Sequence, residues 1–488
     1  MKILVIGLDC AAPELLFGDE RLGNIRCLME AGCFGRLESV VPPITVPAWM
    51  CLATSQDPGS LGVYGFRNRV DHSYEGLGIV NSRSIGELAI WDQVAREGKR
   101  SVIIGVPPSY PPRKVNGLSV GCFLTPDTMR DVYTHPADVS REIERLVGHY
   151  PVDVKGFRTD NKDWLRDEIY AMSRKHFAVV RHFLQNTEWD YFQFVEIGLD
   201  RMHHGFWSYH DPEHVRHEPG NPYREAIRDY YRYLDDEIGR LLGLLTDDTI
   251  VLVVSDHGAQ RLDGGFCVNE WLIREGLLVL NHYPETITPF QKLDVNWDKT
   301  RVWSEGGYYA RVFFNVKGRE PRGVIEPADY ERFREEIKAR FEAITDPDGQ
   351  PLGNLVFRPE EIYRHVRNVA PDLIVHFGAL SWRSIGGVGY PTLHVQENDT
   401  GPDDCNHAQH GAFLLASSNN PLQGPIEGAH LLDIAPTLLE LGGYDVPASM
   451  QGRSLIAGQL APVASSVGYS THEEDIVRDR LSGLGYIS

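Results

Sequence analysis

The chain reads as an α/β fold, a central and mostly parallel sheet flanked by helices, with a smaller α+β subdomain inserted. Three observations predict it: short β-branched or aromatic runs that stand apart from helical stretches, one long amphipathic helical face, and a change of texture late in the chain. The strand candidates are Ile3 to Gly7, Ser101 to Val106, Tyr191 to Ile197, Thr249 to Val254 and Ala412 to Ala416. Between them, Tyr223 to Leu245 spaces Ile227, Tyr231, Leu234, Ile238, Leu241 and Leu245 at alternating four- and three-residue steps, which aligns them on one side of a helix. From about 282 to 380, Pro, Trp and charged residues mix with a strand candidate at Ala310 to Val316 and an amphipathic helix near Tyr330 to Ile344. The expected organisation is a core formed by 1–281 and 381–488, carrying a helical insertion at 138–185, with the inserted subdomain at 282–380.

The bulk numbers narrow the function. With 48 Lys+Arg against 68 Asp+Glu the net charge is −20, and no basic stretch could track a phosphate backbone, so polymeric nucleic acid is not an expected partner. A small phosphate ester remains open, because bound divalent cations set the local potential of such a site. The opening MKILVIGLDC runs from a short apolar stretch straight into Asp9, without the pattern of a secretory signal, and no apolar run approaches the ~20 residues that cross a bilayer. Seven scattered cysteines with no CxxC spacing suit reduced thiols, which points to a cytoplasmic protein without a membrane role.

Chemistry-bearing side chains gather at strand ends. Asp9 ends the first strand candidate, Asp200 follows the third, and Asp256-His257 ends the fourth in VLVVSDHG. Carboxylates and imidazoles on rigid elements are what a metal-using hydrolase needs. In GLDRMHHGFW, Asp200 and His204 are four apart and share a face if a helical turn begins there, while His203 points elsewhere. The plain alternative is Asp200 as a helix cap with packed histidines. Thr45, in PPITVPAW, precedes a plausible helix at Pro47 to Thr54 and could be only its cap. As a functional residue, its hydroxyl would lie beside free N–H groups that stabilise an anion.

These segments together resemble the type I phosphodiesterase/nucleotide pyrophosphatase branch of the alkaline phosphatase superfamily. The motifs are GLDC, PPITVPAW, LDRMHHGFW, SDHG and HAQHGAF, and the closing DRLSGLGYIS extends the likeness toward the C-terminus. In the last motif a histidine stands four residues before a glycine that opens an apolar strand, which points to His407, with His410 as runner-up. The resemblance implies an alkaline phosphatase-like sheet and two divalent metal ions, Zn²⁺ first and Mn²⁺ or Fe²⁺ as alternatives. Asp9, Thr45, Asp256 and His257 would surround one ion, and Asp200, His204 and His407 would hold the other. Thr45 would be the nucleophile in cleavage of a phosphodiester or pyrophosphate bond of a nucleotide-type substrate, through a phosphothreonine. Phosphomonoesterase, phosphonate hydrolase and phosphomutase are the alternatives within the superfamily, and a non-catalytic metal-binding protein is the alternative outside it.

The sequence departs from the family pattern at two places. Ala48 stands where an asparagine helps hold the phosphoryl oxygens, and Leu61 replaces a histidine in DPGSLGVYGF. Thr45 also stands where a sulfatase needs the Cys or Ser that becomes formylglycine, and no CxPSR pattern occurs. Trp49, Tyr64 and Phe66 read as core, with an aromatic platform for a leaving group as the alternative. His210, His214 and His217 read as a solvated loop rather than a third metal site, and Cys10 as a small buried thiol.

Overall fold

The computed structural model describes residues 1–397 and 400–457; the closing DRLSGLGYIS lies outside them. The elements that position the site are β1 (Lys2–Leu8), β2 (Gly32–Glu38), α1 (Thr45–Thr54), β3 (Ser101–Ile104), β4 (Gly117–Val120), α2 (Lys162–Asn186), β5 (Tyr191–Glu196), α3 (Gly198–His210), α4 (Ala226–Leu242), β6 (Thr249–Val254) and β7 (His410–Ala416). Together with short edge segments they form a ten-stranded sheet whose central order is β2-β7-β6-β1-β5-β3-β4. β1 runs parallel to both β5 and β6, and β3 runs parallel to β5 and β4. The exception is β7, antiparallel to β6 and to β2.

The side-chain period of two explains why this sheet is covered on both faces. Leu4, Ile6 and Leu8 of β1, with Val251 and Val253 of β6, face one apolar cluster, which includes Ile169 and Phe177 of α2, Met202 and Phe206 of α3 and Ile227, Leu234 and Ile238 of α4. Ile3 and Val5 of β1, with Ile250, Leu252 and Val254 of β6, face the opposite cluster, which includes most of α1. Strands buried on both sides carry nearly unbroken apolar runs, which is the pattern of parallel sheets. All five strand candidates form, and the long amphipathic helix forms over Ala226–Leu242, a few residues shorter at each end than the periodicity predicts.

A separate antiparallel sheet orders Val302–Glu305, Ala310–Phe314, Leu373–His376 and Leu355–Phe357. The helix Tyr330–Glu342 packs on it through Phe333, Ile337 and Phe341. The turn between its first two strands carries Tyr308 toward the main sheet, where its ring meets His407. Upstream of α2, the loop after the helix Val139–Val147 carries Asp153 and Arg158 to the same region. No helix among the described residues is long and apolar enough to cross a membrane.

Candidate active site

Strand C-termini build the site. β1 delivers Asp9, β5 leads into α3, whose first turn holds Asp200 and next turn His204, and β6 delivers Asp256 and His257. His407 arrives on Cys405–Ala408, paired antiparallel with Gly258–Arg261, so that His407 sits opposite Ala259. The structure brings these residues into two buried groups, Asp9, Asp256 and His257 in one and Asp200, His204 and His407 in the other, with the ligand-capable atoms of each group within 4.8 Å of one another. The rings of His257 and His407 stack at 3.8 Å and join the groups. His410 begins β7 opposite Glu38 and belongs to neither.

Thr45 is the first residue of α1, not its cap. Ile44 occupies the extended cap position and no side-chain cap bond forms, so the capping role is absent. Thr45 Oγ1 lies 3.2 Å from His257 Nε2 instead. His257 Nδ1 faces the Gly258 carbonyl at 3.1 Å, and a carbonyl only accepts, so Nδ1 carries the proton and Nε2 accepts from the Thr45 hydroxyl. The cap reading of Asp200 fails in the same way, because Ile197 precedes the helix and Asp200 lies inside its first turn.

Each candidate ligand is fastened by its outer atom. Asp9 Oδ2 accepts from Trp49 Nε1 at 2.7 Å, and Asp256 Oδ1 accepts a longer bond from the Cys10 amide at 3.4 Å. Gly7 makes the first of these feasible, since a Cβ there would come within 2.6 Å of the Trp49 ring. Asp200 Oδ2 pairs with Arg201, which grips Asp153 with its other nitrogens at 2.7 and 2.8 Å. His204 Nδ1 binds Asp403 at 2.6 Å and His407 Nδ1 donates to the Pro43 carbonyl at 2.9 Å. The inner atoms Asp9 Oδ1, Asp200 Oδ1, His204 Nε2 and Asp256 Oδ2 are buried without a hydrogen-bond partner. Buried polar atoms normally find partners, and four orphans converging in two groups is the donor set of a cation site. The oxygen and nitrogen chemistry therefore fits two divalent ions.

The electrostatics follow the fastening. Burial, then the nearby Asp200, pushes the Asp9 carboxyl well above the carboxylate range, and burial with Asp9 does the same to Asp256. Burial lowers His257 to about 4 and takes His407 well below the imidazole range, aided by His257. At Asp200 burial is outweighed by His204 and Arg201, and the carboxyl is held low. At His204 burial is outweighed by Asp403 above all, and the imidazole is raised.

Several participants escaped the sequence reading. Asp403 accepts from His204 and is held by Arg158 at 3.1 Å and Arg383 at 3.3 Å. Tyr308 lays its ring on His407 at 4.4 Å and accepts from Arg158 at 2.6 Å. Asp403 stands four residues before His407 and Arg201 directly follows Asp200, so proximity to ligand motifs was their only signal. Trp49, expected as core, is fully buried and also holds Asp9; Tyr64 is buried with its hydroxyl on the Arg367 carbonyl. Cys10 is a buried thiol outside both groups. The solvated-loop reading needs correction at His210, which ends α3, and at His214, which is 4% exposed because Arg216 pins the loop to Asp404 at 2.6 Å. Neither His210, His214 nor His217 joins a ligand group among the described residues.

A family model for type I phosphodiesterase / nucleotide pyrophosphatase matches residues 3–412. The chain belongs to that family. Solved structures with the same fold include murine ectonucleotide pyrophosphatase / phosphodiesterase 5, at 14% identity over 92% of this chain and 96% of that one with a TM-score of 0.52. An inactive variant of the murine protein has been solved in complex with AMP, with the same identity and coverage and a TM-score of 0.52. Phosphonoacetate hydrolase from Sinorhizobium meliloti, in complex with phosphonoformate, matches at 14% identity over 91% and 95% of the two chains with a TM-score of 0.57. None of the curated proteins matches the sequence. As a type I phosphodiesterase/nucleotide pyrophosphatase family member, the chain is a hydrolase of the phosphoester type in the alkaline phosphatase superfamily.

Proposed function

We propose that the protein cleaves a phosphodiester or pyrophosphate bond of a nucleotide-type substrate through a covalent phosphothreonine at Thr45, with Asp9, Asp256 and His257 holding one divalent cation and Asp200, His204 and His407 another. The observation that carries this reading is the convergence of buried carboxylate and imidazole inner atoms on two adjacent points, as close as 3.3 Å between His204 Nε2 and Asp200 Oδ1, with the Thr45 hydroxyl against one of them. Two Zn²⁺, or Mn²⁺ or Fe²⁺, would supply Lewis-acid stabilisation of charge on the reacting oxygens. Thr45 attacks phosphorus after its proton leaves to solvent, because a cation held by Asp9, Asp256 and His257 would lower the pKa of its hydroxyl, and the leaving oxygen departs on the opposite side, toward His204 and His407. Water then hydrolyses the phosphothreonine. The first N–H groups of α1 have no intrahelical partner and offer the phosphoryl oxygens a substitute for the side chain missing at Ala48. Free thiols at all seven cysteines support a cytoplasmic setting.

The AMP complex of the murine relative supports a nucleotide-type substrate. The test is turnover of bis(p-nitrophenyl) phosphate by Zn²⁺- or Mn²⁺-loaded protein, beside p-nitrophenyl phosphate and a phosphonate. A diester rate well above the monoester rate is expected, and Thr45→Ala removes it. A faster monoester or phosphonate would move the assignment to those relatives.

A further inference from the structure

Behind the Asp200 group lies a second buried cluster of ionisable side chains that belongs to neither ligand group. His176, on α2, sets Nδ1 3.2 Å from Glu196 Oε2 and Nε2 2.7 Å from the Pro151 carbonyl. Glu196 ends β5, and its Oε1 accepts from the Ser173 hydroxyl at 2.7 Å, the Tyr230 hydroxyl at 3.3 Å and the Gly198 amide at 2.9 Å. Burial raises the Glu196 carboxyl, but His176 with the bonds from Ser173 and Gly198 outweighs it and holds the carboxyl low. A carboxylate and a carbonyl both only accept, so His176 carries both ring protons and donates in two directions. The result is an imidazolium–carboxylate pair in the core, with its remaining lone pairs satisfied.

Both ends of this pair lead to Asp200. Glu196 takes the amide of Gly198, the first residue of α3, so its charge sits at the N-terminus of the helix that carries Asp200 and His204. Gly198 makes this approach feasible, since a Cβ there would come within 2.6 Å of Glu196 Oε1. On the other side, Pro151 stands two residues before Asp153, which grips Arg201 at 2.7 and 2.8 Å, and the remaining nitrogen of Arg201 pairs with Asp200 Oδ2. One imidazole therefore ties the start of α3 to the loop that clamps its first ligand.

We propose that His176 is a positioning residue for the cation of the Asp200 group: its bonds to Glu196 and Pro151 fix α3 and the Asp153 loop against each other, which holds Asp200 Oδ1 and His204 Nε2 at their 3.3 Å separation. The proposal rests on the reading of Asp200, His204 and His407 as the ligands of one cation. Partners behind a ligand set its orientation and, through it, the affinity of the site.

The test is stepwise removal of Zn²⁺ from the loaded full-length protein by a graded chelator, with Asp200→Asn identifying the step that belongs to this group. His176→Asn keeps a donor near the place of Nδ1, toward Glu196, and His176→Gln keeps one near the place of Nε2, toward Pro151, so each variant breaks one of the two bonds. Both are expected to weaken the Asp200 step by about ten-fold and leave the other step unchanged. Phe177→Leu is the control for lost stability: its ring packs on Phe194 and Tyr233, it lowers the Tm by lost packing, and it touches none of these bonds, so it moves neither step. An unchanged Asp200 step in both His176 variants, or the same weakening in Phe177→Leu, overturns the proposal while leaving the proposed function standing. If Asp200→Asn removes no step at all, the ligand assignment in the proposed function fails, and the role of His176 falls with it.

Discussion

The two halves of the candidate site hold the same kinds of ligand by opposite means. Around Asp9, Asp256 and His257 the outer atoms meet neutral partners, the Trp49 indole, the Cys10 amide and the Gly258 carbonyl. Around Asp200 and His204 they meet ions, Arg201 and Asp403, with Arg158 and Arg383 behind them. Neutral clamps leave desolvation to raise the Asp9 and Asp256 carboxyls well above the carboxylate range, while ionic clamps hold the Asp200 carboxyl low and raise the His204 imidazole. The same fold thus presents one half whose carboxyls favour their protons and another whose carboxylate favours its charge. This asymmetry suits a nucleophile on one side and a leaving oxygen on the other.

The sharpest way to separate the halves is Thr45→Ala. It removes the nucleophile and none of the orphaned ligand atoms, so turnover falls by about 10⁴-fold or more while both cations are retained. Kinetics beside metal analysis checks this; loss of one cation would show that Thr45 is needed chiefly as a ligand.

Asp403→Asn keeps the shape but withdraws the charge that orients His204. Affinity for the cation of the Asp200 group is expected to fall by about 10- to 100-fold, with the other site nearly unaffected. A competition titration that resolves two binding steps reads the difference. The matching change in the first half, Trp49→Phe, removes a bond to a carboxylate and is expected to weaken that cation by about ten-fold. Should Trp49→Phe cost more than Asp403→Asn, the contrast between neutral and ionic clamps is wrong.

The smallest effect concerns protons. Asp9 and Asp256 carry raised pKa values, and bound metal requires their ionised forms, so cation binding releases protons and weakens as pH falls. Asp200 is already ionised, so its carboxylate contributes nothing to that slope, and only the proton of His204 is released on its side. Potentiometry during metal addition measures the release; uptake of protons would contradict the sign.

Much of this was legible in the sequence because ligands at strand ends follow from chain order. Apolar runs placed β1, β5 and β6, and the residues just past them were bound to share one edge of a parallel sheet. His407 was legible through its spacing from a strand-opening glycine. What was not legible depends on which loop folds over which strand. Arg158 and Tyr308 come from segments about 150 residues apart in sequence and meet at a hydrogen bond, and no local periodicity announces that. Trp49 looked like core and is core; its indole N–H on Asp9 is visible only once Gly7 leaves room for the ring. His214 misled because a polar, proline-bearing loop reads as solvated until Arg216 finds Asp404.

The most direct measurement is anomalous diffraction from crystals of the Zn²⁺-loaded protein. The account predicts two peaks about 4 Å apart, one against Asp9, Asp256, His257 and the Thr45 oxygen, the other against Asp200, His204 and His407. A single peak, or two peaks with Thr45 touching neither, would contradict it.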